Sequence, residues 1–167
     1  MLENNTILIY GSLGLCKVVD KCTKKFGDEN NEYYILKPVN DERSTIYVPA
    51  DNEELIKKIR KVLTEAEVYD LIRDMPNEET IWINDDRARN DNFKHILDNG
   101  DRKDLIKIIK TLYSRKKELS ASGKKLRAAD EEAMLRAENM LYDEFALVLN
   151  IKRTEVVDFI LNHIDNE

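Results

Sequence analysis

The apolar residues of this chain keep one period up to about residue 50 and another beyond it, and that change limits the folds open to it. Thr6–Tyr10 (TILIY), Cys16–Val19, Glu32–Lys37 (EYYILK) and Ser44–Pro49 (STIYVP) are short runs rich in Ile, Val, Tyr and Thr. Turn-forming residues separate them: Gly11 and Gly14, the segment Gly27–Asn31, and Asn40–Asp41. Runs of this kind read as strands of a small antiparallel sheet. A lone hairpin is marginal in water, so four or five strands are expected to curl into a small barrel around one core.

From Asp51 onward the period is helical. Leu55, Ile59, Val62 and Leu63 suggest a short helix or turn. Thr64-x-x-Glu67 is a capping-box pattern that opens a helix through Val68, Leu71 and Ile72, stopped before Pro76. Residues 84–98 form the next helix, with Phe93, Ile96 and Leu97 inward and Asp98-Asn99-Gly100 as its stop. Asp101 caps a further helix in which Leu105, Ile108, Ile109 and Leu112 recur at helical steps. After a turn at Ser120–Gly123, residues 124–149 form a long amphipathic helix through Leu126, Ala133, Met134, Ala137, Leu141, Phe145 and Leu149. A last helix runs from near Thr154 to Ile164 through Val157, Ile160 and Leu161. The fold class is therefore α+β, with an antiparallel β module at residues 1–52 and an all-helical domain at 53–167.

Composition narrows the functional classes. Two Cys and two His in 167 residues make a disulfide scaffold or a multi-ligand zinc site improbable. Cys16 lies in a strand pattern and is expected to pack as a small apolar side chain. His95 falls on a helix and His163 near the C-terminus, and no Cys/His pairing has metal-ligand spacing. No Gly-x-Ser-x-Gly, phosphate-binding Gly-rich loop or His-Glu-x-x-His occurs, so no enzyme, cofactor or small-molecule substrate is expected. Asp85–Asp86 could pass for a metal-binding pair, but their place in a first helical turn favours capping. The start MLENNTILIYG lacks the marks of a signal peptide. No stretch approaches the roughly 18 apolar residues of a membrane span, so a cytoplasmic location is expected.

The net charge of −6 argues against a simple nucleic-acid binder, yet it averages unlike parts. Arg102–Arg127 holds ten basic side chains against two acids, Asp104 and Glu118. Within it Lys103, Lys107, Lys110 and Lys117 form one helical stripe opposite the Leu/Ile stripe. An ordinary solvated face and a phosphate-contacting face are both open readings of that stripe. Acids between residues 130 and 144 lie on another helix and are placed to neutralise part of it. Trp82, the single tryptophan, sits in Glu78-Glu79-Thr80-Ile81-Trp82-Ile83-Asn84, between a proline-terminated helix and the next N-cap. A lone Trp is more often a core plug. Ile81 and Ile83 can fill that role too, which would leave Trp82 to project beside Arg87 and Arg89 as a wedge or stacking element for DNA.

These residues resemble the CarD-like family of bacterial transcription regulators, in the form found in clostridia and related Gram-positive bacteria. N-terminal signals are Ile9-Tyr10-Gly11-x-x-Gly14, Tyr33-Tyr34-Ile35-Leu36-Lys37 and Ile46-Tyr47-Val48-Pro49-Ala50-Asp51-Asn52. C-terminal signals are Trp82-Ile83-Asn84-Asp85-Asp86-Arg87, Asn99-Gly100-Asp101, Thr111 to Leu119 (TLYSRKKEL) and Leu141 to Ala146 (LYDEFA). Each motif is weak alone, and their order over both halves carries the resemblance.

The resemblance implies a Tudor-like β-barrel that binds the β subunit of RNA polymerase, followed by a helical DNA-binding domain. Such factors sit at the upstream edge of the promoter bubble, beside the −10 element, and stabilise the open complex. A tryptophan wedges into the minor groove while basic side chains hold phosphates of the backbone. Carried onto this chain, the wedge is Trp82, its basic neighbours are Arg87 and Arg89, and Lys103, Lys107, Lys110 and Lys117 are backbone contacts. The polymerase-facing residues are Lys24, Phe26, Tyr47, Val48 and Pro49. The chain departs from the family pattern at Gly11, where relatives often have Pro, and at Tyr47, where some carry arginine.

Overall fold

The computed structural model of the chain describes residues 2–164. It divides into two units, Met1–Val62 and Leu63–Glu167.

The first unit is a five-stranded antiparallel sheet in the order β4-β3-β2-β1-β5. Its strands are β1 (Ile7–Tyr10), β2 (Leu15–Phe26), β3 (Glu29–Pro38), β4 (Ile46–Pro49) and β5 (Ile59–Lys61). The alternation Cys16/Val18, Tyr34/Leu36 and Val48 sends one face of these strands inward. With Leu8 and Tyr10 they form the core of the unit. Leu55 and Ile56, on the short helix α1 (Glu53–Ile56), pack against the same core with Ile59. A register shift between Val18 and Asp20 in the β2–β3 ladder turns Val19 outward and resets which residues face the core. Beyond it the ladder pairs Cys22 with Tyr33 and Phe26 with Glu29, so the strands run on to a two-residue turn. Gly27 has φ +64° there, a conformation that costs glycine little.

Two expectations are corrected here. The segment Gly27–Asn31 is a turn only at its start, because Glu29, Asn30 and Asn31 already pair with β2. The boundary also falls after Val62 rather than after residue 52. Ile59, read as helix or turn, belongs to β5, whose three residues pair with Leu8, Ile9 and Tyr10. Three residues, Ile59-Arg60-Lys61, are too short to show a strand period. The edge of β1 supplies the missing hydrogen-bond partners.

The second unit is helical. Helix α2 (Glu65–Asp74) opens with the expected capping box, in which Thr64 Oγ1 accepts from Glu67 N and a Glu67 carboxylate oxygen accepts from Thr64 N. Helix α3 (Asp86–Asn99) is capped by Asp85, which accepts from Ala88 N at 2.8 Å, and ends on Gly100 in the left-handed conformation. Capping thus accounts for Asp85. Helix α4 (Arg102–Ala121) is capped by Asp101. Helix α5 (Ala128–Leu149) starts later than residue 124, and α6 spans Val156–Ile164 after a 3-10 turn. Their inward stripes meet in one core that includes Ile72, Phe93, Ile108, Leu112, Leu141 and Phe145. Among the described residues no helix is long and apolar enough to cross a membrane.

Candidate partner and nucleic-acid interfaces

On the sheet face turned away from the core, the pairing of Cys22 with Tyr33 and of Ile35 with Tyr47 aligns side chains across three strands. Phe26, Tyr33 and Tyr47 form a continuous row there. The Phe26 and Tyr33 rings meet edge-on at 6.1 Å, and Tyr33 meets Tyr47 at 6.4 Å. Lys24 Nζ lies 3.7 Å from the Tyr47 ring centroid. Phe26 is 60% exposed and Tyr47 45%. Large aromatics held by neighbouring rings and left open to solvent are poor surface residues and good docking anchors. β4 is an edge strand, so its outer backbone groups face away from β3.

Of the five residues assigned to this surface, Lys24, Phe26 and Tyr47 lie together on it. Pro49 is half-buried at the end of β4, across from Tyr33. Val48 is a correction: its side chain is fully buried, because strand alternation turns it to the opposite face from Tyr47. Tyr33 was missed. Its signal was the alternation in EYYILK, where an inward Tyr34 forces Tyr33 outward.

In the helical unit Trp82 is half-buried rather than projecting freely. With Ile81 it packs against the helical core, and its Nε1 donates to Asn84 Oδ1 at 2.9 Å. Ile81 N donates to Thr111 Oγ1 at 2.8 Å, which ties the Trp-bearing segment to α4. Two guanidinium groups lie close to the indole, with Arg89 at 4.2 Å and Arg115 at 4.9 Å from its ring.

Arg89 is the second correction. It is 1% exposed and cannot reach DNA. Its Nε and Nη2 donate to the two oxygens of Asp130 at 3.0 and 2.9 Å, a bidentate pair. Nη1 donates to the Ile83 carbonyl, and Nη2 also reaches Asp86 at 2.8 Å. Hydrogen bonding to Asp130 raises the Arg89 pKa. Burial pushes the Asp130 carboxyl up, but the bonds from Arg89 and Arg127 outweigh it and leave the pKa lowered. Arg127 closes the cluster through Asp86 and Asp130. Arg89 sits on the Phe93 side of α3, where the sequence showed a cation but not the partner that would bury it.

Lys110 is the third correction. Its Nζ donates to the carbonyls of Met75, Pro76 and Glu78 at 2.8, 3.2 and 2.6 Å, so it satisfies the chain after α2. Lys103 and Lys117 are exposed, and Lys107 makes a long 3.7 Å pair with Asp104. Arg87 is exposed at the start of α3. Acids of α5 neutralise part of the basic segment, as expected, at its two ends: Glu144 pairs with Arg102 and Asp130 with Arg127, while Glu138 lies within electrostatic reach of Lys116. Glu144 takes a bidentate bond from Arg102 together with the amide of Leu63, and Asp130 takes Arg89 and Arg127. Lys103 and Lys117 therefore keep their charge exposed along α4, and Lys107 shares its charge with Asp104.

Elsewhere, burial pushes the Cys16 thiol up to about 11, which suits a packing residue and not a nucleophile.

Residues 2–63 match the family model described as CarD-like/TRCF RID domain. The match ends where the helical unit begins and takes in β5. A search of curated proteins finds no match to the chain.

Proposed function

We propose, from the match of residues 2–63 to the CarD-like/TRCF RID domain, that this is an RNA polymerase-interacting protein of transcription, a non-enzymatic cytoplasmic factor that binds polymerase and promoter DNA together. The observation that carries this reading is the family match of the sheet unit. The row of exposed Phe26 and Tyr47 around half-buried Tyr33, with Lys24 and beside the β4 edge, supports docking on the polymerase β subunit through aromatic anchors and strand addition. The helical unit then meets the promoter at the upstream edge of the −10 element. Trp82 engages the minor groove, and Arg87, Lys103, Lys107 and Lys117 contact the backbone.

The mechanism is a population shift. A factor that contacts the open complex better than the closed one favours opening by that difference in affinity. Tethering to polymerase supplies a high local DNA concentration, so a chain of net charge −6 needs little affinity for free DNA. Wedge insertion costs a few kcal/mol of unstacking, and least where the strands are already parting.

Trp82→Ala is expected to shorten the open-complex lifetime several-fold, with co-purification of polymerase unchanged. An unchanged lifetime sinks the wedge role. A second reading, an adaptor on polymerase with no DNA contact, is favoured by the half-burial of Trp82 and the internal engagement of Arg89 and Lys110. Footprinting of the full polymerase–promoter complex separates the two, because the adaptor leaves the upstream bubble edge unprotected.

A further inference from the structure

Helices α4, α5 and α6 and the Met75–Pro76 segment that follows α2 surround a cavity of about 440 Å³. Ile106 and Ile109 of α4, Leu141 of α5 and Val157, Ile160 and Leu161 of α6 make its lining almost wholly apolar. Neither the aromatic row on the sheet nor the segment around Trp82 takes part in it. Tyr113, Val157 and Leu161 on its rim are exposed, so the apolar lining opens to solvent. Small-molecule sites have this form: about 300–1,000 Å³, apolar, with a few placed polar groups.

Glu138 and Tyr142 bring polar groups to this lining from the same face of α5, one turn apart. Glu138 is half-buried, and burial raises its pKa against the charges of Arg153 and Lys116. Among the described residues its carboxylate has neither a hydrogen bond nor an ion pair. Tyr142 is 9% exposed, and among the same residues its hydroxyl has no hydrogen bond. Burial and the Glu138 charge push the Tyr142 pKa up to about 12. The cations at hand are engaged elsewhere. Arg153 stacks on the Tyr142 ring at 4.9 Å and pairs with Asp143 at 3.3 Å, and Lys110 serves three carbonyls. A hydroxyl without a partner and a partly desolvated carboxylate without a donor both cost free energy. One cationic donor carried into the apolar space relieves both.

We infer that the α4–α5–α6 cavity is a binding site for a small apolar amine, with the hydrocarbon body against α4 and α6 and the ammonium donating to the Glu138 carboxylate and the Tyr142 hydroxyl oxygen. An ammonium carries three donors, enough for both acceptors. An anionic head group would meet the Glu138 charge, and a neutral alcohol would leave that charge unmatched. The ligand is bound and not converted. The site stands apart from the polymerase- and DNA-binding reading and does not rest on it.

The test titrates the full chain with n-octylamine, n-octanol and octanoate, which share a chain length and differ in head group, and follows side-chain methyls by NMR. Octylamine is expected to shift the methyls of Ile109, Leu141, Val157, Ile160 and Leu161 saturably. It should bind about five- to ten-fold tighter than octanol, with octanoate weakest. Glu138→Gln should bring octylamine down to the octanol affinity and leave octanol itself within about two-fold, which separates charge from packing. Tyr142→Phe should weaken octylamine about two- to three-fold while the free chain unfolds at the same temperature or higher, because the hydroxyl it removes has no partner to lose. Residues with a merely structural role would leave the order of the three probes unchanged. The proposal is overturned if the three probes bind alike, if none saturates these methyls at millimolar concentration, or if the preference for the amine survives Glu138→Gln. Shifts of the same methyls on dilution of the chain alone would make this face an interface between two copies, and would overturn it as well.

Discussion

Arg89→Ala is expected to lower the stability of the helical unit by about 3–5 kcal/mol, the range seen when one member of a buried ion pair is removed. The variant strips Asp130 of a bidentate partner while leaving that carboxylate 1% exposed, and it strips the Ile83 carbonyl of its donor. Arg127 remains at 3.3 Å from Asp130 and offsets part of the loss. Arg89→Lys should recover little, because an ammonium cannot span Asp130, Asp86 and the Ile83 carbonyl as the planar fork does. Urea unfolding followed by fluorescence reads this unit directly, since Trp82 is the single tryptophan of the chain. A loss below about 1 kcal/mol would show the cluster to be replaceable. The same network sets an acid limit. The folded pKa of Asp130 is depressed, so its contribution is fully present above the unfolded value of about 3.9 and is lost as the pH falls through the folded value. Asp130→Asn should remove that part of the acid dependence along with part of the stability.

The double variant Phe26→Ala/Tyr47→Ala should weaken polymerase binding by about 2–3 kcal/mol, or roughly 30- to 150-fold, as loss of aromatic anchors does at other interfaces. Both side chains are exposed, and neither contributes to the core of the sheet unit. Circular dichroism and thermal unfolding should therefore stay near wild type while affinity, measured by titration against polymerase, falls. Lys24→Ala should have a smaller effect, on the order of 0.5–1 kcal/mol, the scale of an exposed cation–π contact. Unchanged affinity in the double variant would move the docking surface off this face and leave the β4 edge as its place.

The elements themselves were largely legible. Alternation marked β1 and β4 within a residue or two and β3 within three, and the Thr64–Glu67 box, Asp85, Gly100 and Asp101 marked helix ends. These signals are local, since a capping side chain bonds an amide three residues away. The strand β5 was not legible, because its three residues are strands only by virtue of Leu8, Ile9 and Tyr10 lying alongside. The candidate sites divide in the same way. Lys24, Phe26 and Tyr47 share a face through strand parity, which the sequence carries, and the same parity excludes Val48. Arg89, Lys110 and Arg115 are alike in sequence as cations near Trp82 or on α4. Their fates differ because Asp130 lies 41 residues from Arg89 and the carbonyls of residues 75, 76 and 78 lie more than 30 residues from Lys110.

By itself, the sequence determined the α+β class, the order of the first four strands and of the helices from α2 onward, the side-chain caps of α2, α3 and α4, and the concentration of positive charge in Arg102–Arg127. Each of these follows from spacing within a few residues, where backbone geometry fixes which side chains can meet. The tertiary structure alone decided which cations are free. Burial beside a carboxylate from a distant helix turns Arg89 into a support under Trp82, and the carbonyls that follow α2 occupy Lys110. Lys103 and Lys117 remain to face solvent along α4, while Asp130 and Glu144 of α5 are held by arginines.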